Sequence, residues 1–149
     1  MSTFTFAQSF PKKTEFDKNW SSPKKFPDHI LLNYSDDPAT TVSVTWRTSR
    51  EVNKGFGEIA IAEADPKFVL NAERFIAKTS NLKYSNVVNH YLNSKKSFNS
   101  LNHNYHSVTF TDLEPNTTYA YRVGNGKHWS EWIQFTTCLL YTSDAADDP

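Results

Sequence analysis

Apolar and polar residues alternate with a period of two in several short runs along this chain, and turn-forming residues separate the runs. That period puts successive side chains on opposite faces of a strand and marks strands buried on one side. Thr41 to Arg47 alternates strictly, which predicts a strand with Val42, Val44 and Trp46 facing inward. Burying each of these side chains is worth about 1.5–3 kcal/mol. Gly57 to Ala62 predicts another strand, with Ile59 and Ile61 inward, and Ser107 to Thr111 a third, with Val108 and Phe110 on one face. Tyr119, Tyr121 and Val123 share a face of the next strand, and Trp132 to Thr137 forms the closing one. His29 to Tyr34 reads as a short lead strand entered through Pro27, and Arg74 to Thr79 as a strand with Phe75 and Ala77 on one side.

The segments between the runs carry specific turn chemistry. Asp36-Asp37-Pro38 makes a turn, and Gly124-Asn125-Gly126 suits a tight hairpin in which positive φ is cheap. Pro115 cannot donate to a strand ladder, so it belongs to a corner. Asp65-Pro66 starts a short helical turn, Asp as N-cap and Pro at the first position, with Phe68, Val69 and Ala72 as its apolar side. From Asn81 to Asn104 the chain is rich in Asn, Ser and Tyr and has no period, which predicts an irregular insertion at the edge of the fold. Several short strands with turn signals between them predict an all-β, antiparallel β-sandwich.

Composition narrows the function. A length of 149 residues suits one domain. No stretch of about 18 apolar residues is present, so no transmembrane helix is expected. The formal charge is zero and no basic block occurs, which argues against nucleic-acid binding.

The two termini stand apart from the strand pattern. Residues 1–25 read as an N-terminal tail or as the remnant of a signal peptide, with cleavage near Ala7 to Ser9; Phe10 to Phe26 is an extended lead-in rich in Pro, Lys and Ser. Residues 138–149, beginning Cys138-Leu139-Leu140-Tyr141-Thr142-Ser143, resemble the translation of a sequencing adapter rather than a native segment; the bland alternative is an acidic linker. Setting that tail aside removes Cys138 and three Asp, and leaves sixteen basic against thirteen acidic residues. No disulfide is expected.

Candidate chemistry is sparse. His103 and His106 are three apart at the start of a strand, which places them on opposite faces and suits structural roles better than metal ligation. His29, His90 and His128 are isolated, and no G-x-S-x-G nucleophile motif is present. The sequons at Asn19, Asn33 and Asn116 read as coincidence in an Asn- and Thr-rich chain. Trp129-Ser130-Glu131-Trp132 resembles the W-S-x-W-S box of cytokine receptors, with Ile133 in place of the final Ser; Arg122 on the preceding strand is placed to stack on it.

Tyr119 follows Pro115 at the spacing of a tyrosine corner, and Trp46 is placed as the core tryptophan, so residues 26–137 read as an immunoglobulin-like, fibronectin type III-like sandwich. Four segments carry a further resemblance: PDHILLNYSDDPATTVSVTWRTS, GEIAIAEADPKF, YHSVTFTDLEPNTTYAYRVG and WSEWIQFTT. Together they resemble the N-terminal domain of purple acid phosphatases, closest to the bacterial type. The resemblance implies a parent enzyme that hydrolyses phosphate esters at a dinuclear metal centre, Fe with Fe, Zn or Mn. It also implies a metallophosphatase domain following in cis, and export to the periplasm, cell surface or medium. The family's ligand motifs, D-x-H, G-D-x-x-Y, G-N-H-[DE] and G-H-x-H, are all absent from this sequence, so no catalytic, cofactor-binding or metal residue is assigned. The alternative is a stand-alone fibronectin-type binding, receptor or adhesion module.

Overall fold

The computed structural model describes residues 14–15, 22–81 and 103–140. Seven antiparallel strands run in the order β1 (Asp28–Tyr34), β2 (Val42–Ser49), β3 (Gly55–Ile61), β4 (Glu73–Ser80), β5 (His103–Phe110), β6 (Thr118–Gly124) and β7 (Ile133–Thr136). One sheet holds β1, β2 and β5; the other holds β3, β6 and β7. β4 joins them. Its first half pairs with β3, from Gly55–Ala77 to Ile59–Glu73, and its second half pairs with β5, from Lys78–Ser107 to Ser80–Tyr105. The result is a fibronectin type III-like β-sandwich whose layers are linked by a strand that changes sheets.

The alternation seen in the sequence is the alternation of burial. Val42, Val44 and Trp46 of β2 meet Val108 and Phe110 of β5, and across the gap Ile59, Tyr119, Tyr121 and Val123. Phe75 of β4 sets its ring edge-on to Phe110 at 5.3 Å between centroids. The tyrosine corner is formed: the Glu114 N–H donates to the Tyr119 hydroxyl at 2.9 Å. Such a bond is worth about 0.5–1.5 kcal/mol net.

Turn chemistry also follows the residues. Asp37 accepts from the Ala39 N–H at 3.0 Å, and its carbonyl receives the Thr40 and Thr41 amides. A short 3-10 helix, Pro66–Asn71, is capped by Asp65, whose carboxylate accepts from the Lys67 N–H at 2.9 Å. None of its residues is fully buried; Phe68 packs edge-on against Trp132. At the β6–β7 hairpin only Gly126 needs a positive φ, at 89°. Gly124 is still in the strand and bridges to Trp129.

Two expectations change. β5 begins at His103, four residues before the alternating run, because Asn104 and His106 continue its buried face. Asn81 fastens this start by donating to the His103 carbonyl at 2.9 Å. The remainder of the expected insertion, 82–102, lies outside the described residues, as do most of the N-terminal tail, including Asn19, and residues 141–149. Ile61 is not a core residue: it is 46% exposed although Ile59, on the same face, is buried. β4 pairs with β3 only as far as Ile59, so Ile61, at the end of β3, has a strand beside it on the β6 side alone.

Candidate functional site

On the outer face of the second sheet, register decides which side chains meet. Glu58 in β3 lies directly opposite Arg74 in β4 and Arg122 in β6. Cross-strand neighbours are within side-chain reach, so the carboxylate sits between two guanidiniums. Its Oε1 accepts from Arg74 Nε and Nη2 at 2.8 and 2.6 Å, and its Oε2 from Arg122 Nε at 2.6 Å. Glu58 is 5% exposed, and the two arginines cover it.

The arginines in turn stack on aromatic rings, two supplied by the chain after β6 and one by β3. The Arg122 guanidinium carbon lies 4.5 Å from the Trp129 ring centre and 4.8 Å from that of Trp132. Arg74 lies 5.4 Å from Trp129 and 5.7 Å from Phe56. The expected stacking of Arg122 on the tryptophan box is therefore present. Phe56, Glu58 and Arg74 were not anticipated as members, because only the strand register brings them to the box. Each cation–π contact is worth about 0.5–1 kcal/mol at a partly exposed site. The ladder binds β4, β3, β6 and the segment before β7 into one surface. All of its charged groups are paired with one another, so it braces the sheet and offers no free nucleophile, acid or base.

A second polar cluster lies between the sheets. His106 is 1% exposed and stacks on Trp46, 5.3 Å between ring centres. Its Nε2 is 2.7 Å from the Thr48 hydroxyl and its Nδ1 2.8 Å from the Thr79 hydroxyl. The Thr48 proton turns to the Ser49 carbonyl at 3.2 Å, so Nε2–H donates to Thr48 and Nδ1 accepts from Thr79. Burial pushes the imidazole pKa down to about 4, so the ring is neutral. Gly55 makes room: a Cβ there would stand 2.7 Å from His106 Nδ1.

The neighbouring histidines do not join it. His103 faces the other side of β5, as its spacing required, and burial lowers its pKa. His29 sits beside Asp28, which forms a two-pronged pair with Arg47 at 2.7 and 2.8 Å. Burial raises the Asp28 pKa, but the hydrogen bonds and charge of Arg47 outweigh it, and the carboxyl ends below its ordinary value. His128 touches Phe26 at the far end. Among the described residues no three of His, Cys, Asp or Glu converge as metal ligands. The sequons at Asn33 and Asn116 are on exposed residues.

Residues 27–137 match the family described as purple acid phosphatase, N-terminal domain. The chain belongs to that family. Among solved structures, a purple acid phosphatase, PPD1, from yellow lupin (Lupinus luteus) seeds resembles it with 20% identity and a TM-score of 0.51. That match covers 76% of this chain but 19% of the lupin chain, so the domain spans a small part of that protein. A fibronectin type III domain of human contactin 1 shows 14% identity and a TM-score of 0.49 over 93% of this chain and 94% of its own. No curated protein sequence matches the chain. The purple acid phosphatase N-terminal domain thus has the fold read from its alternation, and its described residues carry no set of side chains fit to hold a dinuclear metal centre.

Proposed function

We propose that this domain is the non-catalytic flank of an exported metallophosphoesterase that hydrolyses phosphate esters. The observation that carries the proposal is the family match across 27–137, the whole sandwich and nothing beyond it. In the parent, a pair of metals, Fe with Fe, Zn or Mn, would supply the activated water and hold the phosphoryl oxygens. None of that chemistry falls to this chain, whose sequence lacks the four ligand motifs. Its role is to pack beside the catalytic domain and shape one wall of the cleft or an oligomer contact.

Two measurements test this. Residues 26–137, purified alone, are expected to show no turnover of a phosphomonoester and no stoichiometric iron or zinc, whereas the complete parent turns over. The native coding sequence past Thr137 is expected to encode a D-x-H motif within the next few tens of residues. A different neighbour there would favour the stand-alone module that the tryptophan box suggests.

A further inference from the structure

Among the described residues, the two ends of the sandwich carry opposite charge. At the end where β7 finishes, the loops 35–41, 62–72 and 111–117 present Asp36, Asp37, Glu63, Asp65, Asp112 and Glu114 against Lys67. The opposite end presents Lys24, Lys25, Arg50, Lys54 and Lys127 against Glu131 and Glu51, the latter held by Lys25 at 3.0 Å. At the acidic end the sheets part over an open cleft of about 530 Å³. Ile59, Ile61, Phe75, Leu113 and Tyr119 form its floor, Glu63, Glu73 and Asp112 supply its carboxylates, and its lining contains no Lys or Arg. No ion pair among the described residues engages Glu63, Glu73 or Asp112. Leu70, in the loop beside the cleft, is 80% exposed.

We infer that this cleft is the docking site for the domain that follows in cis, and that it receives an arginine or lysine from that domain. The inference rests on the proposed function. An apolar floor with carboxylates around it fits a cationic side chain, whose aliphatic stem lies on the floor while its head meets the acids. The chain also leaves the sandwich here. The residue-138 N–H donates to the Pro38 carbonyl at 3.1 Å, and its carbonyl accepts from the Asn116 N–H at 3.1 Å. These are backbone bonds, so any residue but proline after Thr137 can make them and leave the sandwich beside the acidic loops. A domain tethered there meets the cleft at high effective concentration, so a weak contact suffices. The exposed Ile61 and Leu70 are the apolar surface such a contact would cover.

The test uses the two-domain parent, encoded by the native sequence through the hydrolase. Carbodiimide labelling is expected to modify Glu63, Glu73 and Asp112 in the isolated chain and to leave them protected in the parent. A variant carrying Glu63→Lys, Glu73→Lys and Asp112→Asn is expected to split the parent's single thermal transition into two, as is raised ionic strength. Asn is chosen at 112 because φ there is 58°, which Asn tolerates. Glu63→Gln with Glu73→Gln provides a milder variant, and retention of the isolated variant's own transition shows that the sandwich still folds. Reversing Lys25, Lys54 and Lys127 to Glu is expected to change neither readout. Carboxylates labelled equally in chain and parent would overturn the docking inference while leaving the phosphatase reading intact. Loss of protection on reversing the lysines, with a fall in molecular mass, would assign the cleft to a second copy and overturn it too. Absence of a hydrolase downstream would instead sink the reading on which it rests.

Discussion

Two polar clusters hold this sandwich, one between the sheets and one on its outer face, and they work by opposite rules. His106 is sealed against Trp46 and contributes because it is neutral, with both ring nitrogens satisfied by threonine hydroxyls. Glu58 contributes because it is charged and stands between two guanidiniums. Protonation of His106 would leave Thr79 without its acceptor, whereas the outer cluster depends on both arginines keeping their carboxylate partner. The inner cluster therefore ties stability to pH and core volume, and the outer one ties it to pairing and salt.

The largest test of that contrast is Trp46→Ala, which removes the floor under His106 and is expected to lower unfolding free energy by about 3–5 kcal/mol in denaturant titration. Next comes pH. The folded pKa of His106 lies near 4, below its ordinary 6.5, so between these values the unfolded chain binds a proton that the native one refuses. Stability is full above the upper value, falls as pH drops through the window, and loses about 3 kcal/mol before levelling off. Urea midpoints measured across that range should show the loss, and His106→Asn should remove most of it, leaving the share due to His103, whose pKa burial also lowers. The Asp28 carboxyl is lowered from 3.8, so its contribution is lost only below that value, in a separate and more acidic window.

The outer cluster predicts smaller effects. Glu58→Ala leaves Arg74 and Arg122 facing each other over a vacated site and is expected to cost about 1–3 kcal/mol. Arg74 is 54% exposed on its side chain, which keeps the cost at the lower end of that span. The smallest effect is the coupling of Arg122 with Trp132, about 0.5–1 kcal/mol in a double-mutant cycle. If that coupling matched the His106 effect in size, the ladder would be a principal support rather than a brace, and the comparison would fail.

The sequence was informative wherever an element depends on its own residues. Val42, Val44 and Trp46 declare their buried face by alternation alone, and Pro115 with Tyr119 declares the corner. Ile61 misled for a physical reason: period two reports the face of a residue, not whether anything lies over it. The ladder was half visible. Arg122, Trp129 and Trp132 are neighbours in a hairpin, but Phe56, Glu58 and Arg74 reach them only through the β4–β3–β6 register.

By itself, then, the order of residues determined which segments become strands, which faces they bury and where the chain turns. Those properties follow from short-range sterics and from the gain of burying one side of a strand. The tertiary structure decided which polar groups meet, how β4 passes from one sheet to the other, and where an acid-rimmed cleft stays open. These depend on distances between residues far apart in the chain, which strand periodicity does not encode.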